Sequence, residues 1–125
     1  MIVGIGIDLT DIRRIEDSLQ NYGERFERRI FTEEEREYCR SFKIGAAQHF
    51  AARFAAKEAF SKAIGTGITR GFTWHEVAVR RLPSGQPELL LTGGMAERYG
   101  HLRSYISLTH TDTTAGAVVV LEQTG

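Results

Sequence analysis

"FAARFAAKEAFSKAIGTG", residues 50–67, decides how this chain is built. Its alanines and phenylalanines predict a long helix from about Ala46 to Ile64, and Gly65 predicts where it stops. Four charged residues, Arg53, Lys57, Glu58 and Lys62, do not sort onto a single solvent side. At 100° per residue Glu58 points between Phe54 and Lys62, on the side of Ala47, Ala51 and Phe54. An ionised carboxylate on an apolar face needs a partner, because unpaired burial costs several kcal/mol or forces protonation. Two partners suit it. Lys62, at i+4 in the favourable orientation, would contribute about 0.2–0.5 kcal/mol if exposed. A metal ion is the other.

Working back toward the start, Ile2–Leu9 reads as a strand with Ile5, Ile7 and Leu9 on one face. Gly4, Gly6 and Asp8 fall on the other face, so Asp8 has bare backbone beside it. An Asp just before a helix is ordinarily a cap, yet Thr10 and Asp11 are available for that task. Ile12, Ile15, Leu19 and Tyr22 then form the stripe of a helix that Gly23 stops. In "FTEEEREYCRSF" (31–42), Thr32 and Glu35 make a capping box for a helix from Glu33 to about Phe42.

Working forward, "WHEVAVRRL" and "PELLLT" flank the turn "PSGQ" and predict a hairpin. "GGMAERYGH" predicts a short helix, and "SYISLTHT" and "AGAVVVLE" two more strands. The order strand, helices, strands predicts an α+β fold, an antiparallel sheet packed on one long helix. No repeat, low-complexity run or linker divides it, so residues 1–125 read as a single domain.

Composition bounds the function. Of 125 residues, 42% are hydrophobic and 26% charged, which supports a packed core. Sixteen basic and sixteen acidic residues cancel, against general nucleic-acid binding, which needs a basic excess. Cys39 is the only cysteine, leaving no internal disulfide and no cysteine cluster for zinc. The apolar opening "MIVGIGIDL" is too short to span a membrane and lacks a basic leader. These features predict a soluble, cytoplasmic protein without a membrane partner.

Two acids on different elements, Asp8 and Glu58, would suit a hard cation. An oxygen-only pair favours magnesium, which takes one or two carboxylates and fills its other positions with waters and phosphates. Arg53, Lys57 and Lys62 add positive charge along the same helix. The small residues Gly65, Thr66 and Gly67 either line a phosphate or simply end the helix; GxxxxGK[ST] order is missing, so this is no P-loop. His110, on a strand face with Leu108 and Ile106, reads as a hydrogen-bonded structural residue or as part of a site.

Three stretches, "GIGIDLTDIRRIE" (4–16), "RFAAKEAFSKAIGTG" (53–67) and "SLTHT" (107–111), together resemble one family, the holo-[acyl-carrier-protein] synthases, the small bacterial class of 4′-phosphopantetheinyl transferases. The resemblance implies that fold, and transfer of the phosphopantetheine arm of coenzyme A to a serine of apo-acyl-carrier protein, releasing adenosine 3′,5′-bisphosphate. Asp8 and Glu58 match the family's magnesium site, and Lys62 its lysine beside the pyrophosphate. Glu58, Lys62 and Asp8 would thus be the catalytic residues. Arg53 and His110 match residues of the coenzyme A site, and Gly65, Thr66 and Gly67 its nucleotide loop. Arg14 matches a basic residue that receives the acidic carrier protein. Relatives are homotrimers with sites at subunit interfaces. The serine proton would pass to Glu58 or to a metal-ordered water. A different class stays open beside this, a trimeric domain that binds a nucleotide and does no chemistry.

Overall fold

A computed structural model describes all of residues 1–125. Its centre is helix α4 (Ala46–Ala63), and eleven of its eighteen residues are buried, which is why its charges show no clean solvent side. The predicted helix was right to within a residue; Ile64 caps it and Gly65 follows at φ +86°.

Against one side of α4 lies a three-stranded antiparallel sheet in the order β1-β5-β4, formed by β1 (Ile2–Asp11), β5 (Thr114–Glu122) and β4 (Arg103–His110). The predicted hairpin is β2 (Val77–Arg81) with β3 (Pro87–Leu91), a separate two-stranded sheet preceded by a 3₁₀ turn at Trp74–Glu76. A short helix, α5 (Gly93–Tyr99), joins the two sheets in sequence. Around the amino-terminal half of α4 pack α1 (Ile12–Tyr22), α2 (Glu24–Ile30) and α3 (Glu33–Arg40). The expected α+β fold, a sheet on one long helix, is therefore present.

The core falls into two clusters strung along α4. Ile15, Ile30, Phe31, Cys39, Phe50, Ala51, Phe54 and Ala115 fill the helical end. The other cluster sets Ala55, Ala56, Ala59, Phe60 and Ala63 against the inner faces of both sheets.

Several local expectations change. Strand β1 runs two residues further than Leu9. Asp11 occupies the cap position of α1 without a side-chain bond, and the Thr10 hydroxyl donates to Asp8 instead, so neither residue caps that helix. Tyr22 is exposed rather than part of the buried stripe. Helix α3 ends at Arg40, short of Phe42, after the predicted Thr32–Glu35 capping box. Helix α2 was not foreseen. It is held by Glu27, which is buried and draws in both Arg36 and Arg40 of α3.

The most telling departure is in β1. A row of Ile5, Ile7 and Leu9 would ordinarily face the core. Here those three side chains are 66%, 64% and 71% exposed, and the glycine face turns inward. A β-carbon on Gly6 would lie 1.9 Å from the Ala59 carbonyl oxygen, and one on Gly4 2.0 Å from that of Ala63. Strand and helix backbones thus touch directly, which only glycine permits.

Gly6→Ala is expected to lower unfolding free energy by about 3 kcal/mol or more, because neither backbone can yield without parting sheet from helix. Gly71→Ala, where an added β-carbon meets nothing within 4 Å, should change it by less than about 0.5 kcal/mol. Urea unfolding of both variants checks this; equal small effects would contradict the close contact.

Candidate active site

The close approach of β1 to α4 also places the next inward-facing residue of the strand. Two residues past Gly6 on the same inner face, Asp8 is buried and reaches α4. Its Oδ1 accepts a hydrogen bond from Lys62 Nζ at 3.1 Å, and its Oδ2 one from the Thr10 hydroxyl at 2.9 Å. Lys62 Nζ also donates to the Ile7 carbonyl at 3.0 Å. Glu58, one turn before Lys62, lies close enough to Asp8 for the two carboxyl groups to act on each other.

Its carboxyl is held above the ordinary glutamate range, first by burial, then by the negative charge of Asp8 and the hydrogen bond they share. Arg14, from α1, and Lys62 pull the other way without prevailing. The two acids therefore converge, and Lys62 pairs with Asp8 rather than with its i+4 neighbour Glu58. Two carboxyl groups pressed together form a donor set that a divalent cation would relieve. No third acid, histidine or cysteine completes a cluster with them, so the set suits magnesium, which keeps open positions for water or phosphate.

A second feature lies toward the amino-terminal half of α4. A cavity of about 100 Å³ is lined by Gln48, His49, Ala52, Arg53, Arg81, Leu108, Thr109 and His110. Arg53 and His110 thus share one pocket, joined by two residues with no usable sequence signal, His49 and Arg81. Its ionisable lining is cationic or imidazole throughout. Burial holds the His49 pKa down, and the charges of Arg53, Arg81 and His110 add to that. Arg53 is buried and its Nε has no partner; its Nη1 donates to the His49 carbonyl at 3.3 Å. An orphaned guanidinium N–H in a cationic pocket asks for an anion.

The other predicted cation on α4 plays a different part. Lys57 is fully buried, and its ammonium donates to Glu35 at 2.8 Å and to the carbonyls of Val77 at 2.9 Å and Trp74 at 3.0 Å. Glu35 also accepts from the backbone N–H groups of Thr32 and Val79, both at 2.8 Å. Lys57 therefore adds no accessible charge; it ties α3 and the hairpin to α4. Cys39 lies beside this pair, fully buried, its thiol pushed up to about 12 by burial, which removes it as a nucleophile at neutral pH.

The loop after α4 is built as a helix stop. Gly65 and Gly67 both have positive φ, and the N–H groups of Thr66 and Gly67 donate to the Ser61 carbonyl at 3.2 and 2.9 Å. Gly65 N–H donates to the Lys62 carbonyl at 3.0 Å. Those three N–H groups are taken, so this loop offers shape and its exposed surface rather than free donors. Arg14 is exposed on α1. Further along that surface Ser18, Tyr22, Arg25, Phe26 and Arg29 line a hollow of about 370 Å³ between α1 and α2.

Comparison with known proteins adds an independent line. Residues 4–118 match the family model of the 4′-phosphopantetheinyl transferase superfamily. A holo-[acyl-carrier-protein] synthase of a Methylobacterium species is 52% identical over 130 residues, covering 98% of this chain and 95% of that protein. Among solved structures, a holo-(acyl-carrier-protein) synthase from Bacillus anthracis, in complex with CoA (3′,5′-ADP), superposes with TM-score 0.84 at 38% identity, over 99% of both chains. The Neisseria meningitidis holo-[acyl-carrier-protein] synthase superposes with TM-score 0.88 at 33% identity, over 98% of this chain and all of that one.

Lys57→Met leaves Glu35 buried without its cation and should cost about 3–5 kcal/mol of stability. Denaturant unfolding measures it. A loss below about 1 kcal/mol would show that the pair does not hold α3 and the hairpin to the helix.

Proposed function

The chain belongs to the 4′-phosphopantetheinyl transferase superfamily, and on that premise we propose that it transfers the phosphopantetheine group of coenzyme A to a serine of an apo-acyl-carrier protein. The observation that carries this reading is the meeting of Asp8, Glu58 and Lys62 on one side of α4. Residues 1–125 act as one catalytic domain, since both core clusters share that helix. No helix is long and apolar enough to cross a membrane; with a single, unpaired cysteine, the activity belongs in the cytoplasm.

Asp8 and Glu58 are the residues that would hold magnesium, which when bound supplies neutralising charge at the pyrophosphate of coenzyme A. The serine hydroxyl oxygen attacks the phosphorus nearer pantetheine, and the bond from that phosphorus to the bridging oxygen of the pyrophosphate breaks. The pair of electrons leaves with adenosine 3′,5′-bisphosphate. Lys62, half-exposed and so free to turn from Asp8, places its ammonium against that growing charge. Glu58 takes the serine proton, directly or through a water.

The cationic pocket of Arg53 and His110 suits the remaining anionic group of coenzyme A, its 3′-phosphate. The exposed surface of Gly65, Thr66 and Gly67 borders the nucleotide. Arg14 faces the incoming acidic carrier protein, and the hollow with Arg25 and Arg29 extends the same basic surface.

The outer face of the β1-β5-β4 sheet needs a cover. Ile7 stands opposite Val118 and Ile5 opposite Val120, with Tyr105 beyond Val120, so apolar side chains cross all three strands. Copies of the same chain cover this face in a homotrimer, in keeping with the resemblance and with how seldom a monomer exposes so continuous a patch.

Incubation with apo-acyl-carrier protein, coenzyme A and Mg²⁺ should add the mass of one phosphopantetheine to the carrier. Asp8→Ala and Glu58→Ala should each slow this by at least about 100-fold while unfolding cooperatively. Near-normal turnover in either refutes the assignment. No mass gain with the unaltered chain leaves a nucleotide-binding domain.

In sedimentation experiments the chain should run as a trimer and Ile7→Glu as a monomer. A monomeric unaltered chain would contradict the sheet-face contact.

A further inference from the structure

The anion pocket poses a problem that its lining does not solve. Two guanidinium groups, Arg53 and Arg81, open on one cavity of about 100 Å³. Like charges repel, and Arg53 has a single hydrogen bond to hold it. Arg81 has its own anchor, its Nη1 donating to the Gly85 carbonyl within the hairpin, but none of these bonds sets the two cations relative to each other when no anion is there.

Tyr38 stands where that support is needed. Its ring lies 4.3 Å from the Arg53 guanidinium carbon and 5.7 Å from that of Arg81. Both distances fall within the range at which an aromatic ring attracts a cation. The two arginines come from different elements, the middle of α4 and the end of β2, and Tyr38 comes from a third, α3. The ring is itself held. It meets Phe42 edge-on at 5.2 Å and His49 at 5.7 Å, and Phe42 and His49 stack on each other at 3.7 Å. His49 is thus shared between the pocket lining and the ring support.

We propose that Tyr38 is a positioning residue for phosphate recognition, its ring being the common surface that sets Arg53 and Arg81 to converge on one phosphomonoester. Arg81 is then a second binding arm beside Arg53, and discrimination for a substrate carrying that phosphate depends on a residue that never touches it. This rests on the assignment of the pocket to the 3′-phosphate of coenzyme A.

The test compares coenzyme A with 3′-dephospho-coenzyme A as donors to apo-acyl-carrier protein. The unaltered chain should show a lower KM for coenzyme A. Tyr38→Leu should raise the KM for coenzyme A by roughly five- to thirtyfold, move that for the dephospho form by less than about twofold, and leave kcat for both nearly the same. Tyr38→Phe, which keeps the ring, should restore the preference. Arg81→Gln, on an exposed part of the hairpin, should also weaken the preference, and it serves should Tyr38→Leu not fold. If the unaltered chain does not distinguish the donors, the pocket assignment fails and this proposal with it. If it does distinguish them, but Tyr38→Leu or Arg81→Gln keeps the full preference, or Tyr38→Phe fails to restore it, the positioning role alone is overturned.

Discussion

The structure depends on one contact between two backbones. Gly4 and Gly6 of β1 lie against the carbonyls of Ala63 and Ala59 so closely that no other residue type fits there. Because no side chains intervene, Asp8 enters the same interface buried and meets Glu58 and Lys62. A strand with side chains on its inner face would stand further from the helix, and these groups would not converge. The same choice sends Ile5, Ile7 and Leu9 outward. A site on the inner face and a sticky outer face are two consequences of one constraint.

Helix α4 carries three cations with three fates, and their surroundings separate them. Lys57 is enclosed and fully bonded, so its charge is spent on Glu35 and two carbonyls. Arg53 is as buried yet under-bonded, held against an aromatic ring at the wall of a pocket. Lys62 is 51% exposed and paired to Asp8, the acid proposed to hold a metal. A buried ion pair contributes little net stability, though breaking it by removing one partner is costly. The Lys57–Glu35 pair therefore acts mainly to fix where α3 and the hairpin sit, and so where Arg81 and Tyr38 stand relative to Arg53.

Much of the architecture was legible from local pattern. The alanine-rich helix, the capping box at Thr32–Glu35 and the turn at residues 83–86 are short-range signals, and those elements stand where they were expected. Helix α2 was not legible, because seven residues of mixed charge around Phe26 show little period and its anchor, Glu27, finds its arginines only across α3. The burial of Lys57 was hidden for the same reason: its partners are 17 to 22 residues away in sequence. Alternation showed which residues of β1 share a face, but hydrophobicity points the wrong face inward. In the site, Asp8, Glu58 and Lys62 were marked by motif resemblance and by Glu58's apolar setting. Arg81, His49 and Tyr38 carry no such mark, since only the packed hairpin and α3 bring them to Arg53.

By the proposed mechanism, the strand–helix contact makes Asp8 and Glu58 a single divalent-cation site facing the pyrophosphate. The most direct measurement is a crystal structure of the chain with coenzyme A and magnesium. One ion should be bound by both carboxylates and by pyrophosphate oxygen, with Lys62 turned from Asp8 to the phosphates. An ion held away from either acid, or a pyrophosphate seated elsewhere on the chain, would contradict it.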